Sequence, residues 1–272
     1  MSYFKTLTPE QKTRVAYLDK ELSKYFSNPY IRAGIIATIT KESGFSNLKE
    51  ISYAYTPNDR IRKIFGYRLA KYTDAQLTAL KKDYNAFFNE VYGGDFGRVQ
   101  LGNTKMGDGS KFVGRGYNQI TGRWNYTNVG KAIGVDLANS PELLEKPEIA
   151  AKAAAQYFKS SFDAGKSTIK ARFGVSDLTK IKDIKLAGKI AHNANMGWKN
   201  PPESDPTGGF QVTMARIADI FDNLGSAADE FVKKNRTKLF VITGAGLAGF
   251  FLLKTGLGTK LTNKVKATLK KG

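Results

Sequence analysis

The stretch Asn28-Pro29-Tyr30-Ile31-Arg32-Ala33-Gly34-Ile35-Ile36-Ala37-Thr38-Ile39-Thr40-Lys41-Glu42-Ser43-Gly44 decides how this chain is read. Asn28-Pro29 restarts a helical pattern and Gly44 ends it, because proline suits the first helical position and glycine the position just past the last. Ile35, Ile39 and Glu42 are spaced i, i+4, i+7, so they share one face. A carboxylate is thereby carried on an apolar stripe near a helix C-terminus. Burial and the negative end of the helix dipole both disfavour its charged form. A raised pKa of the kind a general acid needs is therefore expected at Glu42. On the helix pattern alone, a partly exposed glutamate that simply ends the helix is the alternative.

Outward from this helix the chain keeps a helical rhythm. Thr8-Pro9-Glu10-Gln11 is an N-cap, a proline at the first position and a capping-box glutamine, predicting a helix to about Phe26. Downstream, helices are expected at Pro57–Phe65 and from Thr73 to about Tyr92, then at Trp124–Ile133, Pro141–Leu144, Pro147–Phe162, Leu178–Asn193 and Phe210–Leu224. From Gly93 to Gly122 the pattern changes, with nine of the 27 glycines in this stretch beside Phe96, Val99, Phe112, Tyr117 and Ile120. A glycine-rich run that carries aromatics suits the lining of a groove, with room for a small β-hairpin. It is no P-loop, since no Gly-Lys-Ser/Thr follows. The fold class is mainly α: a helical domain with a small β or glycine-rich region.

Composition narrows the chemistry. The 272 residues contain no cysteine and one histidine, His192, so thiolate chemistry and multi-histidine or cysteine zinc sites are excluded and no metal or cofactor is expected. No Gly-x-Ser-x-Gly elbow is present, and His192 in a helical stretch reads as structural. Acid–base work falls to carboxylates. Glu42 and Glu50 lie eight residues apart, and Glu50 is the one acidic residue between Glu42 and Asp59. Two carboxyl groups beside a polar, glycine-rich floor are what glycoside hydrolysis requires, one to protonate the leaving oxygen and one to activate water. A solvated loop glutamate beside Lys49 is the plainer reading of Glu50.

The net charge is +19, of which ten Lys/Arg and no Asp/Glu fall between Lys233 and Gly272. Such a surface favours anionic partners, but no nucleic-acid-binding module is visible and no specific nucleic-acid partner is expected. Leu239–Leu253 runs fifteen residues without a charge between Lys238 and Lys254. Ala245 and Gly249 form a small-xxx-small pair, and lysines at both ends can reach lipid headgroups. The expectation is a single hydrophobic C-terminal helix that anchors the chain in a lipid membrane, with a buried core helix as the alternative. Residues 1–230 then form the helical domain and 231–272 the anchor. Met1-Ser2-Tyr3-Phe4-Lys5 has no apolar h-region, so no signal peptide is expected.

Several blocks, taken in order, carry a resemblance. They are Lys41-Glu42-Ser43-Gly44-Phe45, Glu50-Ile51-Ser52-Tyr53, Arg60–Gly66, Tyr92-Gly93-Gly94, Gly102-Asn103-Thr104, Gly107-Asp108-Gly109, Phe112–Gly122 with Gly114-Arg115-Gly116 and Gln119-Ile120-Thr121, and Asn193-Ala194-Asn195-Met196-Gly197. They resemble glycoside hydrolase family 19, in particular the chitinase-like lysozymes or endolysins of phages, over roughly residues 28–225. The resemblance implies a lysozyme-like fold and an inverting hydrolase. Glu42 would be the general acid, Glu50 the general base and Thr121 a holder of the attacking water. Tyr117, Asn118 and Gln119 would line the sugar groove, and Asn193 its far wall. The family often has His where this chain has Lys41, and two glycines after the serine where this chain has only Gly44. Peptidoglycan and chitin share the β-1,4 N-acetylhexosamine backbone. The phage-like context favours peptidoglycan and a virion membrane or host envelope location. A chitinase, a single-glutamate lytic transglycosylase and a non-catalytic virion or membrane protein remain the alternatives.

Overall fold

The computed structural model describes residues 2–46, 48–198, 200–205 and 207–234. The chain divides into two units, Met1–Leu224 and Gly225–Gly272. The expected anchor Leu239–Leu253 lies outside the described residues. Among the described residues, no helix is long and apolar enough to cross a membrane.

The first unit is built from α1 (Pro9–Leu22), α2 (Pro29–Glu42), α3 (Asn58–Phe65), α4 (Asp74–Leu80), α5 (Tyr84–Val91), α6 (Arg123–Ile133), α7 (Pro147–Ala164), α8 (Lys166–Phe173), α9 (Ile184–Asn195) and the part of α10 (Gly209–Lys234) up to Leu224, joined by short helical turns. The Thr8–Gln11 capping box forms as its residues predict. α1 stops four residues short of Phe26 because Arg32 reaches back to the carbonyls of Phe26 (3.1 Å) and Ser27 (3.0 Å) and to Asp19 (2.7 Å), fixing a turn. The single helix expected from Thr73 to Tyr92 is two. Lys81 is buried and donates Nζ to the Thr56 carbonyl (2.8 Å), and Asp83 caps a new start by accepting from the Ala86 amide (3.0 Å). α8 has no counterpart in the expectations.

α2 sits at the centre. Ile31, Ile35, Ile36 and Ile39 are wholly buried, each removing apolar surface worth about 1.5–3 kcal/mol from water. Its main neighbour is α9. A methyl group on Gly34 would lie 2.8 Å from the Ala187 carbonyl and 3.0 Å from the Ala191 Cβ, so glycine lets the two helices approach closely. Gly34 meets Ala187, and eight residues further along each helix Asn195 reaches Glu42 (3.2 Å), so the two helices run parallel with their C-terminal ends together. A second core packs Ile61, Phe65, Leu77, Phe87, Phe88 and Val113 together, with Tyr53 and Tyr92 against its edge.

The β-hairpin expected in the glycine-rich region is corrected. Among the described residues there is no strand, only isolated antiparallel pairings of Lys49 with Arg115 and of Arg115 with Ile120. Arg115 and Ile120 exchange backbone bonds (3.0 and 2.8 Å), closing a turn over residues 116–119. Arg115 itself is buried, its guanidinium donating to Glu145 (2.8 Å), the Lys111 carbonyl (2.8 Å) and the Tyr126 hydroxyl (3.1 Å). A buried cation paired and hydrogen-bonded in this way fixes the shape of the loop around it.

Candidate active site

An open cleft of about 340 Å³ is lined by Glu42 and Ser43, by Lys49, Glu50, Ile51 and Tyr53, by Tyr92, and by Gly114, Gln119 and Thr121. Four separate stretches of sequence meet there, and both candidate carboxylates are among them.

Glu42 is the last residue of α2, and its side chain is exposed. The burial expected from its place on the apolar stripe is corrected: the stripe is buried as far as Thr40, and the helix leaves the core before its final residue. Asn195 is its hydrogen-bond partner, the side-chain amide donating to Oε1 (3.2 Å). Glu42 and Asn195 are the last residues of their two helices, so the contact joins the two C-terminal ends.

Glu50 is held differently. Its own amide donates to the Gly114 carbonyl (2.8 Å), and the Gly116 amide donates to the Leu48 carbonyl (2.9 Å), which fixes the register of residues 48–50 against the glycine block. The Tyr92 hydroxyl lies 2.9 Å from Oε1 and 3.0 Å from Oε2, Tyr53 donates to Oε1 (3.5 Å), and the Gly114 amide donates to Oε2 (3.2 Å). Burial pushes the Glu50 carboxyl above its ordinary 4.5. The bonds from Gly114, Tyr92 and Tyr53 and the charge of Arg68 pull the other way without cancelling it.

Thr121 lines the cleft and donates its hydroxyl to the Gln119 carbonyl (2.9 Å). Its proton is thus committed, and the oxygen remains an acceptor for a water hydrogen. Gln119 also lines the cleft, with φ of 53°, a left-handed backbone that costs a non-glycine residue roughly 1–3 kcal/mol when held by its surroundings. A methyl group at Gly114 would stand 2.8 Å from Gln119 Oε1 and 3.3 Å from Glu50 Oε2, so this glycine leaves space for both side chains.

Three expected groove residues are placed elsewhere. Tyr117 is fully buried, its hydroxyl donating to the Pro147 carbonyl (3.2 Å) and its ring meeting Phe45 edge-on at 5.3 Å, so it belongs to the core beneath the turn. Asn118 does not line the cleft, and both polar atoms of its amide are buried without a hydrogen-bond partner. Asn193 is fully buried, accepting from Arg172 (2.5 Å) and donating to the Asn200 carbonyl (2.7 Å), which ties down the segment after α9. Asn195, two residues on and therefore on a different helix face, is the one that reaches Glu42. Sequence reasoning also missed Tyr92 as a partner of Glu50. The signal available was a tyrosine at the end of a helix, directly before Gly93-Gly94. His192 is buried between Asp205 (3.0 Å) and Thr213 (3.2 Å), in keeping with a structural role. Among the described residues no acidic or histidine cluster could hold a metal ion.

Comparison with known proteins points to one class, the glycoside hydrolases. Residues 84–178 match the family model for glycoside hydrolase family 19, Chitinase class I. That segment contains Tyr92, Gly114, Gln119 and Thr121, whereas Glu42, Glu50 and Asn195 lie outside it. Among curated proteins, the chain is similar to an acidic 27 kDa endochitinase of Solanum lycopersicum, 38% identical over 26% of this chain and 34% of that protein. It is likewise similar to an acidic endochitinase of Petunia hybrida, 37% identical over 26% of this chain and 33% of that protein. The chain thus spans about a third of the length of the curated relatives it matches.

Proposed function

We propose that this protein hydrolyses β-1,4 bonds between N-acetylhexosamines, with peptidoglycan as its substrate and inversion at the anomeric carbon. The observation that carries this reading is the meeting of Glu42, Glu50 and Thr121 in one cleft, beside a segment similar to family 19. Glu42, open to the cleft and steadied by Asn195, gives its proton to the glycosidic oxygen as the bond to the anomeric carbon breaks. A water oriented by the Thr121 oxygen bonds to that carbon from the opposite face and loses a proton to Glu50. A carboxylate whose proton affinity is raised is a stronger base, as long as the pH keeps it ionised. Such an arrangement works with about 6.5–9.5 Å between the two carboxyl groups, enough for the intervening water.

Peptidoglycan is preferred to chitin because the +19 chain suits an anionic wall polymer. The two relatives are endochitinases, which favours chitin as the second reading. Side-by-side digestion of purified peptidoglycan and of chitin oligomers at low and high salt decides between them. The expected result is faster cleavage of peptidoglycan that falls as salt screens the charge, with slower, salt-insensitive cleavage of chitin. Faster cleavage of chitin at every salt concentration would establish the second reading.

We further read Leu239–Leu253 as an anchor that holds the hydrolase at a phage or host membrane. The support is its charge-free length and its lysine flanks. Full-length protein that needs detergent for extraction, beside a soluble and active truncation at Glu230, is the expected outcome. Full-length protein that stays in the aqueous phase contradicts it.

A further inference from the structure

We propose that Tyr92, backed by Arg68, is the positioning residue for Glu50: its hydroxyl clamps both carboxylate oxygens and passes from one to the other as Glu50 takes a proton from water. This rests on the reading of Glu50 as the general base.

The phenolic oxygen of Tyr92, which carries one hydrogen, stands 2.9 and 3.0 Å from the two oxygens of Glu50, nearly equidistant. That hydrogen can serve one oxygen at a time, and changing oxygens needs rotation about a single bond. When Glu50 takes the proton of the attacking water, a new O–H bond forms on one carboxylate oxygen and an O–H bond of the water breaks, its electrons staying on the water oxygen as a lone pair of that oxygen bonds to the anomeric carbon. The clamp then donates to the oxygen left unprotonated, and Tyr92 keeps its own proton throughout. Burial and the neighbouring Glu50 push the phenol well above the ordinary tyrosine range, so it stays a donor at any working pH.

The ring is fixed from behind. It stacks on Phe88 (centroids 5.7 Å, planes 13° apart), and the Arg68 guanidinium lies 5.9 Å from its centroid. Arg68 is itself anchored on the Phe65 and Val91 carbonyls (2.9 and 3.1 Å) and over the Phe96 ring (4.4 Å). The groups that face Glu50 are Tyr53 and Lys49 from its own loop, Tyr84 and Tyr92 from α5 and its end, Arg68 from the turn after α3, and Glu42 across the cleft.

The test follows the Glu50 carboxyl by NMR in the full chain labelled with carboxyl-13C glutamate, assigned with Glu50→Gln, alongside the pH profile of kcat/KM. In Tyr92→Phe, which keeps the ring packing, Glu50 should titrate at higher pH than in wild type. The acid limb of the profile should move the same way, with the rate on that limb about tenfold lower, the worth of one charge-assisted hydrogen bond. Arg68→Met should move both readouts in the same direction by less, and it supplies the test if Tyr92→Phe does not fold. A Glu50 titration unchanged in the folded variants overturns the clamp, as does lost activity with an unshifted acid limb. If the wild type cleaves no glycan, the hydrolase reading fails on its own, while the Glu50 titration still decides whether the clamp exists.

Discussion

Glu42 and Glu50 reach one cleft by opposite routes. Glu42 rides on a deeply buried helix yet emerges exposed at its tip, with an amide donor from Asn195. Glu50 sits on a loop without regular structure, yet it is the more enclosed of the two, gripped by two tyrosines and a backbone amide. A helix fixes the position of its last residue through its axis and leaves the side chain to solvent. A loop fixes a side chain only when neighbouring segments bond to it atom by atom. The two-carboxylate mechanism proposed above would use this difference: an accessible group to meet the leaving oxygen, and a held, strengthened base to meet water.

The sharpest way to break the comparison is to remove each carboxylate. Glu42→Gln and Glu50→Gln should each lower kcat/KM on glycan by about 10²–10⁴-fold, with circular dichroism unchanged. The two should part on an aryl glycoside whose leaving group needs no protonation: Glu42→Gln recovers activity there and Glu50→Gln does not. Recovery in the Glu50 variant instead would exchange the two roles.

Next in size are changes beneath each acid. Gly34→Ala should force α2 from α9 and cost about 1–3 kcal/mol in a urea melt, since the added methyl meets the Ala187 backbone at 2.8 Å. Gly114→Ala should act in the opposite manner. Its methyl meets the far end of the Gln119 side chain and the Glu50 carboxylate, so the melting temperature should stay near wild type while kcat falls by about 10²-fold through displaced groups. Equal effects of the two variants on stability and rate would erase the distinction between a packed and a bonded acid.

How far these contrasts could be read from sequence depends on the range of the forces involved. The capping box at Thr8–Gln11, the proline start of α2 and its isoleucine stripe are set by neighbours within one or two helical turns, and they form where expected. Glu42, Glu50, Gln119 and Thr121 were identifiable as acids or groove residues from local motifs. The exposure of Glu42 was not, because it depends on where α2 leaves the core, a property of the packed molecule. Tyr117 and Asn193 were misplaced for the same reason: a polar residue in a motif reads alike whether it faces a ligand or an interior carbonyl. The Tyr92–Glu50 contact joins positions 42 residues apart, beyond any periodicity. The break at Lys81–Asp83 required a tertiary partner, the Thr56 carbonyl.

A smaller effect tests the enclosure of Glu50 through stability. Its folded pKa is raised above the unfolded 4.5, so protonation favours the fold. The associated stability is fully present below pH 4.5 and is lost as pH rises through the folded value. Glu50→Gln should therefore gain melting temperature over wild type as pH is raised from 4 to 8. A gap that is constant or shrinks with pH would show that burial does not strain this carboxyl. Smallest of all, Asn195→Ala should slow turnover several-fold and change stability by about 0.5–1.5 kcal/mol or less, the loss of one hydrogen bond to an exposed acid. A variant as dead as Glu42→Gln would make Asn195 part of the chemistry itself.

The most direct measurement is digestion of purified peptidoglycan by the wild-type chain in 18O-labelled water, with mass analysis of the released fragments. The account predicts ordinary reducing ends carrying one 18O atom. Fragments ending in 1,6-anhydro sugars without label, or no cleavage by a folded protein, would contradict it.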